Sequence, residues 1–379
     1  MSAAGVVVLG VTGSIGSQAL EVAEGLGLPI LGVAAGHRSE ALEDVLRRHP
    51  EARVAVADPG AVPPAGWEGR FAAGEDAVAE LAALRGAIVV NGIVGFAGLR
   101  PTLAALEAGN RVALANKESL VAGGPLVEAA RRRGGGTIVP VDSEHAAIFQ
   151  CLVGERIEDV ARFVITASGG PFRGRSRAQL ARVSPSEALA HPTWKMGPRI
   201  TVDSATLMNK AFEVIEANRL FGLDYDRIAV VVHPQSFVHS LVEFVDGTVK
   251  AELGPPDMRK PIQYALTAPT RRPAPGRSLH LAGVTLTFEE PDVEVFRCLA
   301  LGYEAGRRGG TAPAVLNAAD EVAVAAFLEG RIGFLDIAEV VAETLDRLPA
   351  TPVEDLDLLV AVDREARGIA GEIVARRHP

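Results

Sequence analysis

The feature that most constrains the fold is a glycine-rich turn close to the start of the chain. A β-branched run from Val6 to Leu9 leads into Gly10, Gly13 and Gly16, and a helical pattern follows. A strand, a glycine-rich turn and a helix N-terminus form a phosphate cradle, because free N–H groups and the helix dipole both favour an anion. The spacing G-x-x-G-x-x-G is a variant of the commoner dinucleotide fingerprint. Plain strand-to-helix packing is the alternative, but the position in the first βαβ unit favours dinucleotide binding.

Strands and Ala-rich helical patterns alternate through the first 141 residues. This alternation predicts a parallel, doubly wound, Rossmann-like sheet. The predicted strands cover residues 6–9, 29–35, 52–57, 87–91, 111–116 and 136–141.

The rest of the chain has a different pattern, which predicts a central α+β domain and a C-terminal helical bundle within an overall α/β fold. Helical periodicity starts at Glu294. Further strands are expected at 162–167, 200–204, 228–232, 237–245, 248–253 and, as a lone strand, 284–288. The predicted domain limits are 1–142 for a dinucleotide-binding domain, 143–267 for a catalytic domain with a flexible lid near 173–199, 268–293 for a linker, and 294–379 for the helical domain.

Composition narrows the function classes. The chain has 379 residues, 48% of them apolar, and a formal net charge of -9. A negative chain is a poor partner for nucleic acid or a membrane surface, which favour a broad basic face. The two cysteines, Cys151 and Cys298, lack metal-ligand spacing. With no leader pattern at the start, these features predict a cytoplasmic protein.

The end of the second strand predicts the cofactor. It carries Gly36, His37 and Arg38, and no acidic residue precedes Glu40. An acidic residue at this point binds the ribose 2′-hydroxyl of NAD, whereas a basic one accommodates the 2′-phosphate of NADP. The expected cofactor is therefore NADP(H).

Two carboxylates mark the end of the sixth strand. Asp142 and Glu144 are i and i+2, so in an extended segment they point to the same side and could share a divalent cation. The alternative is that these acids only cap the next helix. Glu213 could be a third ligand, and three carboxylates suit Mg²⁺ or Mn²⁺ better than zinc.

Several polar residues predict a site for an anionic substrate. Asn209 and Lys210 lie near a helix N-terminus with Ser204 before them, which suits a phosphate. Lys117 follows a strand at its carboxyl end, and is either a site residue or an ordinary solvated lysine. Trp194 lies among Gly and Pro residues, so it belongs either to a closing lid or to a minor core.

Six motifs in the same order resemble the 1-deoxy-D-xylulose 5-phosphate reductoisomerase family. The resemblance runs from the first strand to the C-terminal helices. The motifs are Gly10-Val-Thr-Gly-Ser-Ile-Gly16, Ala115-Asn-Lys-Glu-Ser119, Pro140-Val-Asp-Ser-Glu-His145, Ser168-Gly-Gly-Pro-Phe172, His191-Pro-Thr-Trp-Lys-Met-Gly197 and Val202-Asp-Ser-Ala-Thr-Leu-Met-Asn-Lys210.

The resemblance implies a role for each matching residue. It places NADPH at Thr12, Gly13, Ser14, Ile15, Gly36, His37, Arg38, Asn116, Glu118 and Gly197. It places a divalent metal, Mg²⁺, Mn²⁺ or Co²⁺, at Asp142, Glu144 and Glu213. It places the substrate phosphate at Ser168, His191, Ser204, Asn209 and Lys210, and the reacting carbons at Lys117, Ser143 and Glu144, covered by Trp194. Lys117 and the three metal ligands are the implied catalytic residues.

The implied reaction converts 1-deoxy-D-xylulose 5-phosphate, a small anionic sugar phosphate, into 2-C-methyl-D-erythritol 4-phosphate for isoprenoid precursors. Rearrangement of the carbon skeleton precedes reduction by NADPH, and the implied assembly is a homodimer. Three residues depart from the family pattern, namely Val11, Ala167 and Ala211. Each adds bulk and is expected to tighten the pocket without removing a functional group.

Two alternatives remain. One is another NADP-linked oxidoreductase of the homoserine or semialdehyde dehydrogenase type, the latter of which needs a nucleophilic cysteine. The other is an NADP-sensing protein without turnover, which would be expected to lack some acid or lysine of the metal and phosphate sites.

Overall fold

A computed structural model describes residues 5–194, 196–273 and 275–377. The described chain divides into two compact units. The first comprises Met1–Ser119, Gly124–Ala146 and Asp257–Arg277, and the second Leu120–Gly123, Ala147–Pro256 and Ser278–Pro379.

The first unit is built on a seven-stranded parallel sheet with the order β4-β3-β2-β1-β5-β6-β7. Its strands are β1 Val6–Leu9, β2 Ile30–Ala35, β3 Arg53–Val56, β4 Phe71–Ala73, β5 Ile88–Asn91, β6 Arg111–Leu114 and β7 Thr137–Pro140. The helices that begin in it are α1 Ser14–Gly25, α2 Glu40–Arg48, α3 Glu75–Ala82, α4 Leu99–Glu107, α5 Lys117–Gly134, α6 Ser143–Cys151 and α11 Arg259–Thr267.

The short apolar strands form this sheet because they are covered on both faces. All four residues of β1 are fully buried, as expected for a parallel strand. The chain runs outward from β1 to β4 and then returns to place β5 beside β1. The predicted doubly wound sheet is confirmed, and β4, which the sequence pattern did not predict, extends one edge.

Helix ends in this unit follow ordinary capping chemistry. Ser39 caps α2 by accepting a hydrogen bond from Leu42 N, and Asn116 caps α5 by accepting one from Ser119 N. Helix α5 ends at Gly135, which has a left-handed φ of 74°. Both N-caps lie just beyond strand ends, so they fix where the loops at the carboxyl edge of the sheet turn into helices.

The second unit combines a four-stranded sheet with a helical region. The sheet order is β11-β10-β8-β9, with β8 and β9 parallel and the other pairs antiparallel. The strands are β8 Val160–Ala167, β9 Ile228–Val232, β10 Val238–Phe244 and β11 Val249–Leu253. The helices are α7 Arg177–Leu180, α8 Pro185–Ala188, α9 Pro198–Thr206, α10 Met208–Phe221, α12 Cys298–Arg308, α13 Ala312–Leu328, α14 Asp336–Arg347 and α15 Leu356–Arg377.

One hydrophobic core joins the sheet of the second unit to its helices. Phe163 and Val242 lie on the buried sheet face and belong to the same core as Ile215 of α10 and Val341 of α14. The predicted helical C-terminal region is confirmed. Burial of these large apolar side chains is the main favourable free energy of this unit.

A buried polar cluster ties α9 to α13 and α15. The Arg199 guanidinium donates to Asn317 Oδ1 at 2.9 Å and pairs with Glu321 Oε1 at 3.0 Å. Arg367 pairs with the other oxygen of Glu321 at 2.8 Å. Asp320 is fully buried beside these groups, with one carboxylate oxygen 3.6 Å from Arg199 Nη2.

Two predicted strands of the second half are wrong. Residues 200–204 belong to α9, because Gly197 and Pro198 provide an N-cap and a first helical residue that start a helix. Segment 284–288 forms no strand; Glu289 makes an isolated bridge to Val232 instead. Alternating apolar residues in this segment therefore misled the strand prediction.

Among the residues that the structure describes, no helix combines the length and the apolar character needed to cross a lipid bilayer.

The buried Asp320 predicts a pH-dependent stability. Burial, together with the nearby charge of Glu321, raises the pKa of Asp320 to about 6 despite the opposing charge of Arg199. A raised carboxyl pKa means that ionisation opposes folding: the stability present at pH below about 4 is lost as pH rises through about 6. Asp320→Asn removes that cost. We therefore expect the variant to melt at a higher temperature than the wild type at pH 8, with a free energy of unfolding larger by on the order of 2–3 kcal/mol.

The difference in melting temperature between Asp320→Asn and the wild type should narrow as pH falls from 8 to 5. Asp346→Asn is the matched control, because the Asp346 side chain is 73% exposed on α14. A difference in melting temperature that stays constant with pH would contradict the raised pKa of Asp320.

Candidate active site

The glycine-rich turn after β1 has the geometry of an anion cradle. Gly13 is the N-cap of α1 without a side-chain cap, and Thr12, Gly13 and Ser14 are exposed. The first N–H groups of a helix lack intrahelical acceptors, so they are available to an anion. A Cβ on Gly16 would lie 2.1 Å from Gly10 O, so only glycine lets α1 approach the turn this closely.

The end of β2 is also open. Gly36, His37 and Arg38 are exposed, and Arg38 pairs with Glu43 of α2 at 2.7 Å. An exposed guanidinium at this strand end suits a 2′-phosphate. Contact of these residues with NADPH stays a prediction.

Asn116 and Glu118 are engaged by the loop that follows β5. The Asn116 amide donates to the carbonyls of Ile93 and Gly95, both at 2.9 Å. Glu118 accepts from Gly95 N at 3.0 Å and from the Asn116 amide at 2.7 Å. These contacts show that both predicted cofactor residues fix the conformation of the loop after β5.

The acidic motif after β7 lies beside Lys117. Lys117 is buried and forms an ion pair with Asp142, whose carboxylate also lies 3.4 Å from His145 Nδ1. Burial alone would raise the pKa of Asp142, but Lys117 and His145 hold it well below its ordinary value. Glu144 accepts a hydrogen bond from Ser143 Oγ at 2.7 Å. Asp142 therefore presents ionised carboxylate oxygens.

The predicted extended conformation of this motif is wrong. Strand β7 ends at Pro140 and α6 begins at Ser143, so Asp142 precedes the helix and Glu144 lies in its first turn. The Asp142 carbonyl accepts from Ala146 N at 2.8 Å. Asp and Ser favour helix starts, and this local preference overrode the strand pattern.

Ser168 and His191 meet in the second unit. Ser168 follows β8, and its Oγ lies 3.0 Å from His191 Nε2. His191 Nδ1 accepts from the backbone N–H groups of Thr193 and Trp194, at 3.1 and 2.9 Å. The neutral ring therefore carries its proton on Nε2 and donates it to Ser168.

Turn geometry brings Ser168 close to α9. Gly169 and Gly170 have φ values of 84° and 65°, and a Cβ on Gly170 would lie 2.8 Å from Ser204 O. The glycines permit a left-handed turn packed directly against the helix that carries Ser204. The turn that begins at Ser168 therefore packs on the backbone of Ser204.

Helix α10 carries the other predicted phosphate residues and Glu213. Leu207, with a left-handed φ of 62°, separates α9 from α10. Asn209 Nδ2 donates to one oxygen of Glu213 and Lys210 Nζ to the other, both at 2.6 Å. The predicted i,i+3 and i,i+4 stripe is confirmed, and the buried Glu213 is held as a carboxylate between two donors.

The predicted lid contains two short helices, α7 and α8, and irregular backbone. Trp194 is partly buried rather than exposed, with its ring centroid 6.4 Å from that of His239. Gly197 is exposed at the N-cap of α9. Lys195, within the predicted lid, lies outside the described residues, and closure of the lid stays a prediction.

The three departures from the family pattern lie in packed positions. Val11 and Ala167 are buried. Ala211 is fully buried, and its Cβ faces Gly302 of α12, where an added Cβ would lie 2.3 Å away. The methyl of Ala211 therefore fills a helix–helix contact, and its effect on the ligand pocket stays a prediction.

Two polar positions had no predicted role. Asn91 ends β5 and is fully buried in a hydrogen-bond network, and Asp320 lies in the cluster around Arg199. A polar residue at the carboxyl end of a parallel strand is a visible signal for Asn91. For Asp320 the sequence offers no comparable signal, because its partner Arg199 lies 121 positions away.

Three family models match the chain. One described as 1-deoxy-D-xylulose 5-phosphate reductoisomerase matches residues 6–124, and one described as the C-terminal domain of that enzyme matches 138–221. A third, the DXP reductoisomerase C-terminal domain, matches 253–369.

Relatives of the same description cover nearly the whole chain. The 1-deoxy-D-xylulose 5-phosphate reductoisomerase of Caulobacter vibrioides is 50% identical, over 98% of this chain and 97% of its own length. That of Thermus thermophilus is 52% identical, over 96% and 97%.

Solved structures agree with these matches. The Zymomonas mobilis 1-deoxy-D-xylulose 5-phosphate reductoisomerase in complex with NADPH is 43% identical, with a TM-score of 0.91 over 98% of this chain and 99% of its own. A DOX-P reductoisomerase in complex with NADPH, fosmidomycin and magnesium is 36% identical, with a TM-score of 0.90 over 98% of both chains.

His191 should be neutral at pH 7, with its proton on Nε2. Burial lowers the pKa of His191 below its ordinary 6.5, so the folded state favours the neutral ring. The associated stability is present above about pH 6.5 and is lost as pH falls through the folded-state pKa. Nitrogen-15 chemical shifts of labelled histidine, assigned with His191→Gln, measure both properties. A proton on Nδ1, or a pKa above 6.5, would contradict this geometry.

Proposed function

Because the chain belongs to the 1-deoxy-D-xylulose 5-phosphate reductoisomerase family, we propose that it converts 1-deoxy-D-xylulose 5-phosphate into 2-C-methyl-D-erythritol 4-phosphate with NADPH and a divalent cation. The observation that carries the proposal is the contact of Glu213 with Asn209 and Lys210 on α10. It joins a carboxylate suited to a metal with an amide and an ammonium suited to a phosphate, within two turns of one helix.

The first unit supports NADPH as the cofactor. The pyrophosphate would lie at the open N-terminus of α1, at Thr12, Gly13, Ser14 and Ile15. The 2′-phosphate would lie near Arg38, with His37 and Gly36 beside it. NADPH supplies the hydride for the reduction. Asn116 and Glu118 complete the proposed contacts of this unit, and Gly197 of the second unit is the remaining proposed contact.

The carboxylates fit a hard divalent ion. Asp142 is ionised, since its pKa lies well below the ordinary value, and Glu213 is held by two donors. We propose Asp142, Glu144 and Glu213 as the ligands of Mg²⁺, Mn²⁺ or Co²⁺, because such ions prefer carboxylate oxygens. When bound, the cation polarises the substrate carbonyl and lowers the pKa of the adjacent hydroxyl.

The chain's polar residues bind and orient the substrate. The phosphate would accept hydrogen bonds from hydroxyl, amide and ammonium groups, which are those of Ser168, Ser204, Asn209 and Lys210. His191 Nε2 donates to Ser168 Oγ and so orients that hydroxyl. A phosphate held at one end fixes the position of the carbons that react.

Lys117 and Ser143 act beside the reacting carbons. The buried Lys117 ammonium neutralises Asp142 in the absence of other cations. It can instead donate to a substrate oxygen once Asp142 has another partner. Ser143 Oγ orients the Glu144 carboxylate. Trp194 covers the site and excludes water, which both reaction steps require.

The buried cysteines argue against the semialdehyde dehydrogenase alternative. Cys151 and Cys298 are both buried, and burial raises the pKa of the Cys298 thiol well above its ordinary value. A nucleophilic cysteine needs a lowered pKa and access. Cysteines that form no disulfide also fit the reducing conditions of the cytoplasm, where we place the protein.

A homodimer would cover the open face of the four-stranded sheet. Leu241 pairs with Val164 on one side and Ala251 on the other, and these side chains point away from the core face that packs on α10. Val249, on the edge strand, is 52% exposed. An apolar sheet face of this kind is typical of an interface between identical subunits.

Glu213→Gln tests the proposed metal ligand. The variant keeps the size of the side chain but replaces the carboxylate, so we expect kcat for NADPH oxidation with 1-deoxy-D-xylulose 5-phosphate to fall at least about a hundredfold. Wild-type activity should vanish with chelator and return with Mn²⁺ or Mg²⁺. Absorbance at the NADPH band measures both.

Glu128→Gln, a surface carboxylate variant on α5, should behave as wild type. Wild-type oxidation that is unaffected by chelator would refute the metal requirement, and no oxidation with either metal would refute the substrate.

Ala251→Glu tests the proposed dimer. We expect the wild type to elute with twice the chain mass of 39.6 kDa in size-exclusion chromatography with light scattering. A carboxylate on the open sheet face should shift the variant toward monomer, because burying an unpaired charge is costly. Val62→Glu is the control, since Val62 is 67% exposed in a loop of the first unit. A monomeric wild type would refute the dimer.

A further inference from the structure

The loop from Gly92 to Gly98 follows β5, which lies beside β1 in the sheet. In an open α/β sheet the ligand binds where the strand order reverses, here beyond the carboxyl ends of β1 and β5. A Cβ on Gly10 would lie 2.7 Å from Gly92 O, and one on Gly92 would lie 3.3 Å from Ile15. The loop therefore packs directly on the glycine-rich turn. At its tip Val94 is 74% exposed and offers an apolar contact.

Asn91 holds both ends of this loop. Its Oδ1 accepts from Ile93 N at 3.1 Å, and its Nδ2 donates to Gly98 O at 2.9 Å and to Thr102 Oγ1 at 2.8 Å. The residue is fully buried. Both the oxygen and the nitrogen of its side-chain amide are hydrogen-bonded within the protein. Asn91 can therefore affect cofactor binding only through the loop.

Side chains of α5 hold the middle of the loop. Asn116 binds the carbonyls of Ile93 and Gly95, and Glu118 binds Gly95 N. With Asn91, three side chains therefore satisfy five backbone groups of a seven-residue loop that has little regular structure. A short loop with its polar groups paired in this way is preorganised for its ligand.

We propose that Asn91 is a positioning residue that sets the affinity for NADPH by fixing this loop against the glycine-rich turn. The inference rests on the proposed function, because it takes NADPH as the occupant of the crevice. Loss of Asn91 releases Ile93 N–H and removes one of two hydrogen bonds to Gly98 O, the other of which Thr102 Oγ1 donates. The loop then becomes ordered only when NADPH binds, which weakens binding without altering the residues that meet the substrate.

Asn91→Ala, compared with Thr102→Val, tests the proposal. Thr102→Val removes the hydrogen bonds of Thr102 Oγ1 with Asn91 Nδ2, Gly98 O and Ser119 Oγ. It leaves Asn91 bound to Ile93 N and Gly98 O. We expect Asn91→Ala to raise Kd and KM for NADPH roughly tenfold, while kcat at saturating NADPH and KM for 1-deoxy-D-xylulose 5-phosphate stay within about twofold. Thr102→Val should lower the melting temperature and leave NADPH affinity within about twofold.

Hydrogen exchange of the peptide covering residues 92–98 gives a direct readout. It should accelerate in Asn91→Ala and become protected when NADPH is added. If Asn91→Ala does not fold, Asn91→Ser, which keeps one polar atom at the strand end, is judged by the same comparison. Unchanged NADPH affinity in a folded Asn91 variant, or an equal rise of both KM values, would overturn the proposal. Wild type that fails to bind NADPH would overturn the proposed function, and this inference with it.

Discussion

Close backbone approach at the carboxyl end of β1 is the constraint on which the first unit depends. Gly16 brings α1 against Gly10 O, and Gly10 in turn lies against the backbone of Gly92. A Cβ at Gly10 or Gly16 would collide with main-chain atoms, which cannot rotate away. The three glycines of the turn thus act in different ways: Gly10 by its contact and left-handed φ of 76°, Gly13 as an open N-cap and Gly16 by helix packing. An open helix N-terminus beside a preformed loop is the result.

Two buried ion pairs fix the positions of polar side chains. Lys117 with Asp142, and Lys210 with Glu213, are pairs whose side chains are at most 14% exposed. Removing one partner of a buried pair leaves an uncompensated charge and costs about 3–5 kcal/mol. Each lysine therefore compensates the charge of the carboxylate that it contacts in the protein interior.

Much of this could be predicted from the sequence, for physical reasons. Parallel strands and glycine turns are local patterns, as is the stripe of Asn209, Lys210 and Glu213, because helical spacing alone brings these three together. The conformation of Asp142 to Glu144 was predicted wrongly, since a two-residue spacing has meaning only once strand or helix is known. Ala211 was placed near the ligand, yet it packs on Gly302, 91 positions away. Asn91 and Asp320 take their roles from partners that only the fold brings near.

The most direct test of the central claim is the fate of a labelled hydride. In the proposed reaction, one chain rearranges the carbon skeleton and then reduces the product. NADPH deuterated at the transferable position, 1-deoxy-D-xylulose 5-phosphate and Mn²⁺ should give 2-C-methyl-D-erythritol 4-phosphate with one deuterium on the newly formed carbinol carbon, by NMR and mass spectrometry. A straight-chain polyol phosphate labelled at the former ketone carbon would mean reduction without rearrangement, and would contradict the account.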